Sequence, residues 1–329
     1  MEFSGSHVNS RFPVYHMITD FNFLRADGVR SRVVEGTAPE VLEVLEQQCT
    51  RLKIEPAARS VMNHDLMQFG RYTKHYLPRS CIDVFSRTYA SCIFRHVESL
   101  VMQFTAELRC DASLHQPRVE RVIVVENTHL KDRFTRALLA KEASAAANPK
   151  VFQYPQGDDK LMDILRMQLP DIPSHPNARP CLVFHATSDK AEKLISAIGF
   201  RKEFMASASG LQKFGAGIYF STFPMYCSSY QKDPREATGA QGAICFLASW
   251  VLLGHPFLKK CAETSNGRSC GLQDGYDSHY ALVRQGNSIF DPATGEVFED
   301  ERGMPDGDEI VIFEPDHILP QFVIEMNMV

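Results

Sequence analysis

The sequence has no run approaching the roughly 18 consecutive apolar residues that a membrane span requires. Its first residues, Met1 to Met17, show no basic stretch followed by an apolar core. These two absences predict an intracellular protein, nuclear or cytoplasmic, without a membrane partner. Paired cysteines are lacking as well. The nine cysteines are odd in number, scattered singly and never arranged as CxxC, so neither a disulfide framework nor a zinc ribbon is expected. Most of them read as small buried hydrophobes. Cys245, Cys261, Cys270 and His255 follow no standard ligand spacing, and no metal is expected. Nor does one sign of charge dominate: 35 Lys and Arg stand against 40 Asp and Glu, a formal charge of -5. That balance excludes a polyphosphate-binding surface spread over the whole molecule, while leaving room for a local basic patch. No internal repeat or low-complexity tract occurs. What the chain does have is 329 residues that are 44% hydrophobic, enough to fill the core of one large domain or two ordinary ones.

Residues 1 to about 35 mix aromatic and polar side chains without a period and read as an irregular arm. From Pro39, the series Val41, Leu45, Cys49 and Leu52 advances in helical steps, with the proline suited to a first turn. A second helix is expected from Ser80, which forms a capping-box pattern with Asp83, to about Arg109. Residues 1–115 therefore read as an arm and a small helical module. The texture changes at Pro117. Arg121 to Val125 is a short β-branched run, and Leu130, Phe134, Ala137, Leu138 and Lys141 continue at helical spacing toward Pro149. The segment 155–180, rich in Pro, Asp and His, looks like a surface connection. Further strands are expected at 181–184, 243–247, 249–253, 279–283, 310–313 and 322–324. Irregular loops between them, and few long helices after residue 200, favour an α+β fold over a doubly wound one.

Three short elements carry potential chemistry. FHATS, residues 184–188, sets His185 at the end of an apolar strand, where a histidine is more often a hydrogen-bonded structural residue. FGAGIYFS, residues 214–221, sets two glycines before a strand, which suits close approach to a ligand or simply a tight turn. It falls short of GxGxxG and runs into a strand, so a dehydrogenase-type dinucleotide fold is unsupported. GDEIVIF, residues 307–313, puts Glu309 at the mouth of a strand, where acidic residues are usually solvated turn residues.

In this order and rough spacing, the three elements resemble the catalytic domain of the poly(ADP-ribose) polymerase family over about residues 116–329. His185-Ala186-Thr187 stands where that family has His-Gly-(Ser/Thr), with alanine in place of the glycine. Gly217-Ile218-Tyr219-Phe220 is similar to its Gly-Ile-Tyr-Phe, and Glu309-Ile310-Val311-Ile312-Phe313 to its Glu-Tyr-Ile-Val-Tyr. Tyr230 falls where the family has a second tyrosine, Phe246 to Gly254 resembles the following strand, and Val122 to Phe134 the opening strand and helix. A serine position of the family is taken here by Cys227, with Ser228 as a neighbouring substitute. Arginine-modifying transferases of the toxin-like class carry a paired glutamate two positions before the catalytic one. That position is Gly307, which disfavours this subclass.

The resemblance implies an ADP-ribosyltransferase fold with a mixed, antiparallel-rich sheet, and NAD as a consumed substrate. On the same footing, His185 would hold the adenosine ribose, and Tyr219 and Tyr230 would sandwich the nicotinamide. Ala186 and Thr187, Gly217, and Cys227 or Ser228 complete the NAD-binding set. Glu309 would stabilise the oxocarbenium-like ribose and orient the nucleophile. The acceptor would be a protein or a nucleic acid. Phe200 to Phe214 is expected as a lid, and Pro292 to Asp308 as a loop for acceptor selection. Two other readings stand beside this one: a catalytically inactive NAD-binding or interaction module, and a glycohydrolase that passes ADP-ribose to water.

Overall fold

The computed structural model describes residues 32–77, 117–147, 175–205, 212–223, 226–227, 243–259, 264–265, 268–269, 271–284, 287–288 and 307–328. Strand β1 (Arg32–Gly36) leads into helices α1 (Ala38–Arg51) and α2 (Pro56–Phe69) and strand β2 (Tyr72–Leu77). After these come β3 (Pro117–Glu126), helix α3 (Thr128–Ala147), β4 (Pro180–Thr187), helix α4 (Asp189–Ile198), the short helix α5 (Lys202–Met205) and β5 (Ile218–Phe220). The described remainder is mostly strand: β6 (Ala243–Leu252), β7 (Pro256–Leu258), β8 (Thr264–Ser265), β9 (Arg268–Ser269), β10 (Ser278–Arg284), β11 (Asn287–Ser288), β12 (Gly307–Ile312) and β13 (Ile318–Met328). The chain is thus mixed α+β with antiparallel-rich sheets.

Helix α1 begins as the spacing predicts. The Glu40 side chain accepts from the Thr37 N–H at 3.2 Å, Pro39 lies in the first turn, and Ala38, Val41, Leu45 and Cys49 form the buried face. The helix expected from Ser80 to Arg109 lies outside the described residues. So do residues 1–31 of the expected arm, whereas residues 32–36 form β1 instead of irregular chain. Helix α3 is anchored by a side chain that the sequence pattern did not single out. Asn127 accepts from Leu130 N–H at 3.2 Å and donates to the carbonyls of Ser196 and Ala197 at 3.0 and 2.9 Å, which ties the start of α3 to the end of α4.

Six strands form one fully antiparallel sheet in the order β1-β2-β3-β13-β6-β4. The sheet is continuous across residue 115. Tyr76 of β2 stands opposite Ile123 of β3, so the change of texture at Pro117 marks an interior strand. Residues 32–77 therefore supply two strands as well as the helical pair. The pair packs with α4 on the sheet, where Val41, Leu45 and Met62 share one core with Ile123, Val125, Leu194 and Leu247. The two strands expected at 243–247 and 249–253 are one strand, β6. Ala248, a poor strand former, read as a break between them, but pairing with β4 on one side and β13 on the other overrides that weak preference.

The second sheet runs β11-β10-β12-β5, with β7 added parallel to β10. Among the described residues a backbone bridge joins the two sheets. Phe184 of β4 and Ser221, just after β5, exchange two backbone hydrogen bonds of 2.8 and 3.0 Å. That bridge sets His185 of the first sheet beside Tyr219 and Phe220 of the second.

Candidate active site

Register decides which side chains of the second sheet share a face, because successive residues of a strand alternate sides. Val311 of β12 pairs with Tyr219 of β5, and Glu309 pairs with Ala281 of β10. Glu309, Val311, Tyr219 and Ala281 therefore lie on one face. A small apolar cluster of Phe214, Ala281, Val283, Val311 and Phe313 covers that face, with Tyr219 and Tyr226 packed against it. The opposite face carries Ile218, Phe220, Ile310 and Ile312 into the main core.

His185 is fixed by neighbours on β5 and just after α4. Its Nδ1 lies 2.8 Å from the Tyr219 carbonyl, and its ring meets Phe200 edge-on at 5.1 Å and Phe220 at 5.6 Å. A carbonyl only accepts, so Nδ1 carries the proton and Nε2 presents a lone pair. Burial pulls the pKa of His185 down, against the weaker opposing pull of the Tyr219 carbonyl, and holds the imidazole neutral at neutral pH. A neutral ring with Nε2 as acceptor is suited to a ligand hydroxyl.

The Tyr219 ring is held just as firmly. Its hydroxyl donates to the Gly215 carbonyl at 2.9 Å and accepts from Phe214 N–H at 3.0 Å, so the glycine-rich loop closes on its own tyrosine. Gly215 has φ of +136°, and a Cβ there would stand 2.8 Å from Phe313 and 2.9 Å from His279. At Gly217 a Cβ would meet Val311 at 2.5 Å and the Ile312 carbonyl oxygen at 2.9 Å. Both glycines are demanded by packing against β12 and β10. His279, fully buried, secures the same loop by donating from Nδ1 to the Phe214 carbonyl at 2.6 Å while Nε2 accepts from Gln273 N–H at 2.9 Å.

Glu309 is 5% exposed, which contradicts the reading of a solvated turn carboxylate. Its Oε1 accepts a hydrogen bond from the Tyr226 hydroxyl. Its neighbour Asp308, on the opposite face, is fully buried and collects four donors: the Ser221 hydroxyl at 2.6 Å, Thr222 N–H at 2.7 Å, the Thr222 hydroxyl at 2.6 Å and the Tyr280 hydroxyl at 3.0 Å. Asp308 thereby clamps the chain leaving β5 to β12 and β10, and so sets the spacing between Tyr219 and Glu309.

Cys227 lies beneath this frame, 6% exposed, with its thiol donating to the Phe184 carbonyl at 3.2 Å. Burial drives its pKa up, with Asp308 and Glu309 adding to that and the backbone N–H groups of Ser221 and Ala186 opposing it. The thiol stays protonated and unreactive. Cys181 behaves alike, pushed up to about 12 by burial. Ala186 is partly buried and Thr187 buried, both at the end of β4.

Of the residues singled out from sequence, His185 is bonded to the Tyr219 carbonyl, Tyr219 and Glu309 share one face of the second sheet, Cys227 reaches the Phe184 carbonyl, Ala186 and Thr187 end β4, and Gly217 precedes β5. Ser228 and Tyr230 lie outside the described residues, as do 206–211 of the expected lid and 292–306 of the expected acceptor loop. Three residues of the site were missed: Tyr226, Asp308 and His279. No spacing rule marks them, since each acts through a partner distant in sequence.

Among the described residues no group of three or more His, Cys, Asp or Glu side chains is placed to hold a metal ion, and no helix is long and apolar enough to cross a membrane. Cys261 and Cys270 are not among those residues. No protein-family model matches this chain, and no curated protein matches it.

Proposed function

We propose that this chain is an ADP-ribosyltransferase of the poly(ADP-ribose) polymerase type, which cleaves NAD, releases nicotinamide and transfers ADP-ribose to an acceptor. The observation that carries this reading is that His185 is bonded to the Tyr219 carbonyl while Tyr219 and Glu309 share one face of the second sheet. The histidine is held neutral, the tyrosine ring is immobilised through its hydroxyl, and the carboxylate is withdrawn from bulk water.

The chemistry asks for little else. The bond from C1′ of the ribose to the nicotinamide nitrogen breaks with its electron pair going to the ring, so nicotinamide leaves neutral and C1′ becomes oxocarbenium-like. Glu309 accepts from a ribose hydroxyl and opposes that positive charge, in surroundings where a fixed charge acts more strongly than in water. His185 Nε2 accepts from a hydroxyl of the other ribose, and the Tyr219 face stacks on the departing ring. The acceptor nucleophile then bonds to C1′ and loses its proton to Glu309 or to water.

Incubation with NAD labelled in the adenylate part, followed by gel and nicotinamide measurement, tests the reading. Labelled acceptor with released nicotinamide is expected; nicotinamide release without labelled acceptor indicates a glycohydrolase, and neither product refutes enzymatic function. Glu309→Gln should lower turnover roughly a hundredfold, on the scale of removing one preorganised stabilising group, with NAD affinity little changed. Near-normal turnover in that variant removes Glu309 from the mechanism.

One observation favours the inactive binding module. The Cys227 thiol, at the position where the resemblance has a serine hydroxyl for the carboxamide, is buried and donates to the Phe184 carbonyl. NAD binding without nicotinamide release would decide for the module.

A further inference from the structure

We infer that Tyr226 is a positioning residue for Glu309, holding its carboxylate in the orientation the reaction needs; this rests on the transferase reading above. Tyr226 precedes Cys227 in the short helical turn after β5, and its hydroxyl donates to Glu309 Oε1. A glutamate side chain has three rotatable bonds, and ordering it costs conformational entropy that a fixed donor offsets before substrate arrives. A carboxylate has about four lone-pair directions, so a bond taken at Oε1 leaves acceptor capacity for a ribose hydroxyl.

Room for the Tyr226 ring has been made on purpose by a neighbouring residue. Gly307 begins β12 two residues before Glu309, on the same face of the strand. A Cβ at 307 would stand 2.5 Å from Cγ and Cδ2 of the Tyr226 ring. The ring occupies the space a side chain at 307 would need, and the apolar cluster of Phe214, Val311 and Phe313 supports it from below. Packing alone would be served equally by phenylalanine, so the hydroxyl on Glu309 is the part that needs a reason. The same geometry accounts for the absence of a second carboxylate at 307: in this chain the tyrosine takes the place beside Glu309.

The test compares wild type, Tyr226→Phe, Glu309→Gln and the double variant for nicotinamide release and ADP-ribose transfer. Tyr226→Phe should lower turnover roughly tenfold or more, the scale of one hydrogen bond to a charged group, with KM for NAD within about twofold. In the Glu309→Gln background the same substitution should have little further effect, because the hydroxyl acts through that carboxylate. Gly307→Ala keeps the hydroxyl but displaces the ring. It should reproduce the turnover loss, and it carries the test if melting curves show Tyr226→Phe unfolded. Wild-type turnover in Tyr226→Phe, or equal losses in both backgrounds, overturns the positioning role while leaving the transferase reading intact. A wild-type chain that releases no nicotinamide overturns both.

Discussion

Asp308→Ala and Asp308→Asn should differ sharply, and the difference measures how far the clamp beside Glu309 depends on acceptors instead of charge. Asp308 is fully buried, with Oδ1 receiving the Ser221 hydroxyl and Thr222 N–H, and Oδ2 receiving the hydroxyls of Thr222 and Tyr280. Asparagine keeps an oxygen for the first pair. It puts an amide donor before the second pair, whose hydroxyls can both turn to accept. Alanine removes every acceptor, and the Thr222 N–H cannot reverse. At about 1–3 kcal/mol for each buried group left unsatisfied, alanine should cost about 4 kcal/mol and asparagine about 1. Urea unfolding at matched pH would show this as a midpoint roughly 1 M lower for alanine than for asparagine, taking a slope of about 3 kcal/mol/M. The pH dependence has a definite sign. Burial raises the Asp308 pKa above its ordinary value despite the four donors, so the folded chain binds a proton more readily than the unfolded one. The resulting stability is full below the unfolded value of ~3.9 and is lost as pH rises through the raised folded value. Asparagine does not titrate, so its deficit against wild type should be greatest on the acid side and narrow as pH increases. Equal midpoints for the two variants, or a deficit that widens with pH, would refute this account.

Gly217→Ala should disturb β5 against β12, since its Cβ meets backbone at Ile312 as well as Val311; both a lower melting temperature and loss of turnover are expected, and an active variant of unchanged stability would contradict the packing. A fragment beginning at residue 116 should aggregate or fail to fold. It would bare the β3 edge and the core side of α4, and leave Glu192 without Lys74, its buried partner at 2.7 Å; a soluble, cooperatively melting fragment would show the first 115 residues to be dispensable.

Much of the fold was legible where local pattern and tertiary role agree. The face of Val41, Leu45 and Cys49 is a helical stripe that packs as a helical stripe, and the apolar runs at 122–125 and 310–312 lie in strands with buried side chains at Ile123 to Val125 and Ile310 to Ile312. What escaped were elements whose character comes from their neighbours. Tyr72 to Leu77, with Thr, Lys and His in its middle, has no apolar alternation to announce it. It becomes a strand because β1 and β3 pair on either side, and its Lys74 is buried only because Glu192 and the Ser196 hydroxyl arrive from α4, the latter at 2.5 Å from Glu192.

The site divides along the same line. His185, Tyr219 and Glu309 stood out because their three short motifs occur in the order and rough spacing of the family they resemble, although each motif alone reads as ordinary strand-end structure. The residues that hold those three in place have no role in the motifs as read from sequence. Asp308 sits beside Glu309 in sequence but points the other way, and only strand alternation separates a structural carboxylate from one on the face of Tyr219. Tyr226 reads as an ordinary loop tyrosine until β12 brings Glu309 to its hydroxyl and Gly307 clears space for its ring. A glycine at 307 therefore carries two messages: in sequence it marks a missing second acid, and in the folded chain it marks the tyrosine that stands there. If that tyrosine orients Glu309, the side chain opposite residue 307 belongs among the determinants of the site, and searching for strand-mouth acids without the residue packed over them would find only half of the arrangement.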